Sequence, residues 1–345
     1  MHLAELLFFG CFTIFIIAIL LLDTLVIDKK AHEVSMKEAG IWTAVWIILA
    51  LLFSVFLWFH GDLVHGINNF SDLQAVTTKY ASHIKLNPDD FEWSLQQYRH
   101  HMTISYISGY LLEKTLSVDN LFVMMMIFTS FGVSKNEYQH VLNWGIFGAI
   151  VLRCIFIFLG SAFVTRFSWL LTVFGLFLVY SGFKMFFEKK KDEEVDVANH
   201  PVVKFLSRHF RVTSEFQGDH FFVRNSGKLF ITPLFITVVF IEFSDLVFAF
   251  DSIPAIFSIT IDPYVVFFSN IFAILGLRAM FFLLAGVADK FWLLKPGVSF
   301  LLLFIGIKLL IHDFIEIDAV WSLVFIVLVL VVSIVGSLVV KKKTA

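Results

Sequence analysis

Carboxylates are costly in apolar sequence, and in this chain they recur in a pattern. The run EFSDLVFAFDSIPA, residues 242–255, sets Glu242, Asp245 and Asp251 inside a stretch that is otherwise apolar from Leu229 to Thr260. A carboxylate in hydrocarbon costs roughly 2.5–3.5 kcal/mol even on the lenient insertion scale, so three in one span mark a functional site. An earlier run, LLEKTLSVDNLFV at 111–123, places Glu113 six residues before Asp119-Asn120, as Asp245 stands six residues before Asp251-Ser252. In a helix a seven-residue step turns about 700°, about 20° short of two full turns. Glu113 and Asn120 then share a face with Ser117 between them, and Asp245 shares one with Ser252. Asp119 and Asp251 point about 100° away unless the helix loosens. Pro254 supplies a means in the second run, because it lacks an N–H and crowds the carbonyl of Phe250.

Within the apolar stretches the acids are Asp23, Glu113, Asp119, Glu242, Asp245 and Asp251, with Asn120, Ser252 and Asn270 as neutral oxygen donors. The bases are Lys114, Arg153, Lys184, Arg278 and Lys308. Such near balance fits a self-neutralising structural network, since ion pairing is how charges survive in lipid. Against that, Lys184 lies near a span end and can snorkel, which leaves the central acids in excess. Oxygen ligands without His or Cys suit hard divalent ions: Mg²⁺, Ca²⁺ or Mn²⁺. Arg153 and Arg278 would hold and orient carboxylates, with anion binding as the competing role. Met124, Met125 and Met126 face different directions on a helix and read as apolar lining rather than a Cu(I) site. Cys11 and Cys154 both fall in apolar spans and make neither a disulfide framework nor a thiolate metal site.

The elements that position these residues are helices. With 59% hydrophobic residues, 44 Phe and a mean hydropathy of +0.85, the chain reads as an all-α polytopic membrane protein. The net charge of -2 points to no nucleic-acid partner. The partners implied are the lipid bilayer and a divalent cation. About nine spans are expected: 5–27, 40–59, 104–131, 141–163, 168–187, 229–258, 265–287, 296–314 and 320–340. The first lacks a basic start and is too long for a signal peptide. With the N-terminus outside, seventeen Lys and Arg fall in cytoplasmic segments against four outside, so an N-out, C-in arrangement is expected. The 60–102 segment is then external. In it Asn87-Pro88-Asp89-Asp90 predicts a helix capped by Asn87 and running to about His101. In the 188–228 insert, KKKDEEVD reads as a solubilising charged linker, with Asp192, Glu193 and Glu194 too weak a set to argue for metal. HPVVKFLSRHF predicts a short amphipathic helix, and FFVRNSGKLFIT a hairpin around Asn225-Ser226-Gly227. No catalytic constellation or resident cofactor is expected.

The duplication extends past the acids. NWGIFGAIVLR, ending at Arg153, echoes SNIFAILGLR, ending at Arg278, and Gly182-Phe183-Lys184 aligns with Gly306-Ile307-Lys308. Each unit holds three spans, an odd number, so the copies enter the membrane with opposite orientation, as in inverted-repeat transporters. The chain divides into 1–103 (two spans and the external segment), 104–187 (first repeat), 188–228 (insert), 229–314 (second repeat) and 315–345 (last span and basic tail).

EKTLSVDNLFV, EFSDLVFAFDSIPAIF and SNIFAILGLRAMFFLLAG closely resemble the TerC family of bacterial integral membrane proteins, in particular its Alx-type branch. The resemblance covers roughly residues 104–312 and, more weakly, the first two spans with Asp23. It implies a polytopic inner-membrane protein associated with manganese export, with tellurium resistance as the phenotype that named the family. It further implies transport roles for Glu113, Asp119, Glu242, Asp245 and Asp251. The long 60–102 segment departs from the family. The expectation is a divalent-cation transporter, most of all a Mn²⁺ exporter, carrying the ion as cargo and exchanging it for protons. The rivals are a non-transporting membrane scaffold or assembly factor, and a protein that handles an oxyanion such as tellurite through Arg153 and Arg278.

Overall fold

The computed structural model describes residues 3–22, 34–135, 137–167, 169–187, 201–213, 217–225, 227–285, 293–311, 315, 317 and 319–339. It is almost entirely helical. In chain order the elements begin with α1 (Leu3–Leu22), α2 (Met36–His60), a 3₁₀ turn (Gly61–Val64), α3 (Phe70–Tyr80) and α4 (Phe91–Phe131). Then come α5 (Tyr138–Arg166), α6 (Trp169–Phe187), α7 (Pro201–His209) and strands β1 (Phe222–Asn225) and β2 (Lys228–Ile231). The rest are α8 (Pro233–Phe257), α9 (Pro263–Leu275), α10 (Leu277–Ala285), α11 (Leu294–Ile311) and α12 (Ala319–Val339).

Local chemistry sets many of these boundaries. Ser35 caps α2 by accepting from the Glu38 N–H. Thr232 caps α8 and Asp262 caps α9, each with a proline at the first helical position, where a missing N–H costs nothing. The amphipathic helix expected in the insert is α7. The expected hairpin is β1–β2, antiparallel with Asn225 opposite Lys228 and Gly227 at φ 77°.

Five helical spans are long and apolar enough to cross a bilayer: Met36–Val64, Tyr138–Arg166, Trp169–Phe187, Pro233–Phe257 and Val320–Val339. A sixth is formed if α9 and α10, bent by 43° at Gly276, count as one. Glu5–Leu21 and Pro296–Ile311 are shorter apolar helices. The expected 104–131 span is the second half of α4, whose Glu113, Lys114 and Asp119 dilute its apolar character.

Three local readings are corrected. Asn87 does not cap the helix after it. Its side chain closes a turn on the Asp89 N–H, Asp90 caps α4 instead, and α4 begins at Phe91. Nor does that helix stop near His101. No proline interrupts the sequence from there to Phe131, so α4 runs for 41 residues until Gly132, in the left-handed region at φ 66°, closes its C-terminus. The expected loosening at Asp251 is absent, because helical geometry continues through Pro254 to Phe257. The break in this part of the chain is at Gly276 instead.

At the centre α4 and α5 each pack against both α8 and α9, while α2 and α12 lie along α4. The closest helix pair is α6 with α11. A Cβ on Gly175 would meet the Gly306 carbonyl at 3.0 Å, and one on Gly306 would meet the Gly175 carbonyl at 2.8 Å. One turn-pair away, Ser299 Oγ donates to the Gly182 carbonyl at 2.7 Å. Phenylalanine fills the space between α1, α2 and α9, as in the 4.4 Å contact of Phe12 with Phe268 and the 5.0 Å contact of Phe53 with Phe272. The outer surface is apolar, with Ile14, Ile48, Leu159, Leu176 and Leu328 exposed, as a lipid-facing surface requires.

Candidate functional site

The centre of the bundle is organised by one fully buried guanidinium. Arg153, midway along α5, reaches between α4 and α8. Its Nε donates to Asp245 Oδ2 at 3.2 Å and its Nη2 to Asp245 Oδ1 at 2.9 Å, a bidentate fork. Its Nη1 donates to Glu113 Oε1 and, at 2.6 Å, to Asn270 Oδ1. Glu113 and Asp245, equivalent positions of the two acidic runs, therefore meet at one point, together with Asn270 of α9. Ionised, the two carboxylates and one guanidinium carry a net charge of −1. Such a buried cluster holds together because every desolvated charge has an opposite one against it.

On α4, α8 and α9 several buried polar atoms have no hydrogen-bond partner among the described residues: Glu113 Oε2, Asn270 Nδ2, Ser252 Oγ and both oxygens of Glu242. Glu242 lies three residues before Asp245 on α8, and its carboxylate abuts Gly148 of α5, where a Cβ would collide with it. Ser117 and Asn120 are buried on α4, Ser117 Oγ lying 3.5 Å from Glu113 Oε1. Lys114 points the other way. Its Nζ donates to the Ala273 carbonyl at 3.2 Å, in the last turn of α9 before the break at Gly276. Arg278, just past that break, donates to Asn143 Oδ1 at 2.8 Å. The two arginines thus make reciprocal rungs between α5 and α9–α10, Arg153 to Asn270 and Arg278 to Asn143.

Asp119 and Asp251 lie on α4 and α8, but their side chains fall outside the described residues, as does Asp23 altogether. Lys184 and Lys308, paired in the repeat, differ: Lys184 is exposed, and Lys308 is buried and donates to Ser322 of α12 at 2.8 Å. Among the described residues no group of three or more His, Cys, Asp or Glu is placed to hold a metal ion. Glu113 and Asp245 are two carboxylates only, and Arg153 is paired with both.

A second buried ionic cluster was missed by sequence reasoning. His65, after the 3₁₀ turn, is bonded through Nδ1 to Glu5 Oε1 and through Nε2 to Asp262 Oδ2, both at 2.9 Å. Burial alone pushes the pKa of His65 down, but the charge of Asp262 and the hydrogen bonds that the ring donates to both carboxylates outweigh it and raise the value to about 9. Burial, reinforced by the charges of Asp262 and Glu5, also holds the nearby Tyr80 and Tyr98 phenols well above their usual value. The cluster ties α1, the turn after α2 and the start of α9 together at one end of the bundle. No local motif announces it, because the partners of His65 stand 60 and 197 residues away.

Comparison with known proteins fits this architecture. Over 340 residues the chain is 42% identical to a Photorhabdus laumondii protein named "Putative membrane-bound redox modulator Alx", covering 98% of this chain and 97% of that one. It is 41% identical over 318 residues to the protein of the same name from Escherichia coli K12, covering 92% and 89%. An uncharacterized membrane protein of Myxococcus xanthus, STKORF319, is 40% identical over 328 residues, 95% of this chain and 91% of that one. No solved structure matches. The model of the integral membrane protein TerC family matches residues 98–345, which takes in both acidic runs, Arg153, Asn270 and Arg278. Multi-pass, with its acidic runs meeting at a buried arginine, this chain belongs to the TerC family of integral membrane proteins.

Proposed function

We propose that this protein exports a divalent cation, Mn²⁺ foremost, through a site built from the carboxylates of two inverted repeats. The observation that carries the proposal is the meeting of Glu113 and Asp245, one from each half of the chain, at a single buried point. Hard divalent ions take oxygen ligands, and Asn270, Asn120 and Ser252 add neutral oxygens around the same region. Asp119 and Asp251, six residues along from Glu113 and Asp245, are the further candidate ligands, with Glu242 on the same helix as Asp245.

Several contacts support the repeat. Exchanging the first unit (α4, α5, α6) with the second (α8, α9–α10, α11) turns the α4–α9 packing into the α8–α5 packing, and both are present. The same exchange carries the Arg153 rung to α9 onto the Arg278 rung to α5, with Asn143 two residues from the strict counterpart of Asn270, and the Gly175–Gly306 contact onto Ser299–Gly182. Counting α1, the second half of α4 and α11 as spans gives nine crossings, with the N-terminus outside the inner membrane and the basic tail in the cytoplasm. Moving a redox-active metal would also give chemical sense to the name that the relatives carry. No Walker-type phosphate loop occurs in the sequence, so exchange for protons at the buried acids is the energy source we favour.

Asp119→Asn and Asp251→Asn test the reading, since Asn keeps size and an oxygen donor but removes charge. Each should abolish Mn²⁺ efflux from cells loaded with MnCl₂ while the protein still accumulates in the membrane. Normal export by both variants would leave the carboxylates structural and favour a scaffold held together by Arg153.

A further inference from the structure

We propose that Arg153 is a built-in counter-cation: it occupies the carboxylate pair when no metal is bound, and a metal ion takes its place. This rests on the reading of Glu113 and Asp245 as cargo ligands. The guanidinium engages Glu113 Oε1, both oxygens of Asp245 and Asn270 Oδ1, so only Glu113 Oε2 of the pair is left without a partner. A hard divalent ion needs about six oxygens at short range, and one carboxylate oxygen cannot supply them. Guanidinium and metal also repel each other at such separations in a dry interior. Occupancy by one therefore excludes the other.

The displaced side chain has somewhere to go. Glu242 lies on the same helix as Asp245, about one turn away, and faces α5 at Gly148, five residues before Arg153. Both its oxygens are buried and without partners among the described residues, and the missing side chain of Gly148 is what lets the carboxylate lie against α5. Arg153 passing from Asp245 to Glu242 keeps a carboxylate partner throughout. Counted with Glu242 ionised, the three carboxylates carry −2 with Arg153 alone and 0 with Arg153 and a divalent ion, and the Glu113–Asp245 pair is never left with a bare double negative charge in the membrane. An unloaded transporter can then reorient with arginine in the place of cargo, which makes net export possible rather than metal-for-metal exchange alone.

The test uses full-length protein carrying Arg153→Gln or Arg153→Lys, titrated with MnCl₂ in detergent and reconstituted into vesicles, with Asp245→Asn as the weakened-site control. Removing a positive charge from the site should let Arg153→Gln bind Mn²⁺ at least about tenfold more tightly than wild type. Without metal its Tm should fall, and MnCl₂ should raise that Tm further than it raises the wild-type value, because the ion replaces the missing guanidinium. In vesicles it should exchange Mn²⁺ for Mn²⁺ but lose net efflux, and Arg153→Lys should restore net efflux. Binding by Arg153→Gln no tighter than wild type, or a loss of Tm that MnCl₂ does not recover, would overturn the proposal. Wild-type protein that moves no Mn²⁺, with Arg153→Gln still binding more tightly, would instead leave the competition standing and remove the transport reading.

Discussion

His65 shows how much a single side chain can fasten together. Its two nitrogens join Glu5 near the start of α1 to Asp262, the cap of α9, and the ring has almost no contact with solvent. The folded protein raises its pKa from 6.5 to about 9, so the proton is bound more tightly in the folded state than in the unfolded chain. The stabilisation is therefore complete below about pH 6.5 and is lost as pH rises through about 9, with a magnitude on the order of 3 kcal/mol. Unfolding in detergent followed from pH 6 to pH 10 should show Tm declining across that window. His65→Gln should lower Tm at pH 6 and flatten the decline, and an unchanged pH profile would separate this cluster from stability. Its partners are fixed by tertiary folding alone, so the sequence offered no trace of it. Glu113 and Asp245 could be picked out because two carboxylates in apolar runs at matching spacing are rare, and Arg153 could be named with Arg278 as a holder of carboxylates, yet which arginine would meet which acids could not be told.

At the level of elements, what was legible was what is local. The Asn-Ser-Gly turn acts within a few residues, and the β1–β2 hairpin turns where it stands, whereas the Asn-Pro-Asp-Asp start marks a helix but misplaces its cap, which is Asp90. The bend at Gly276 was not legible, since it depends on what packs alongside. A Cβ on Gly276 would lie 2.6 Å from Lys114 Nζ and 3.2 Å from Trp46 Cβ, so the neighbours rather than the local sequence set the path there. The α6–α11 pair depends on backbone contact in the same way. Gly306→Leu should force the two helices apart and reduce accumulation of folded protein severely, by several kcal/mol of stability in the manner of overpacked cores. Gly40→Ala, with nothing within 4 Å of its Cβ position, should leave accumulation unchanged. Membrane yield and Tm of the purified variants compare the two, and equal loss from both would deny the special closeness of α6 and α11.

For the whole molecule, the distribution of Lys and Arg fixes an expected direction of insertion. A reporter fused after Lys343 or inserted near Asp196 should report the cytoplasm, and one near Gln74 the outside. Reporters at Gln74 and Asp196 on the same side would contradict the inverted repeat. The central cluster then bears on how the chain is made. Glu113 precedes Arg153 by 40 residues, whereas Asp245 follows it by 92 and Asn270 by 117. At about 5–20 residues per second, roughly 5–20 s of synthesis separate the arrival of Arg153 from that of Asp245. Through that interval Glu113, already made, is the one of its three partners among the described residues that can accompany the arginine into lipid. Biogenesis should therefore feel the two acids unequally. Glu113→Gln should impair insertion of α5, seen by glycosylation-site or protease mapping of nascent chains truncated before Asp245, while Asp245→Asn leaves that early step intact and harms only the finished bundle.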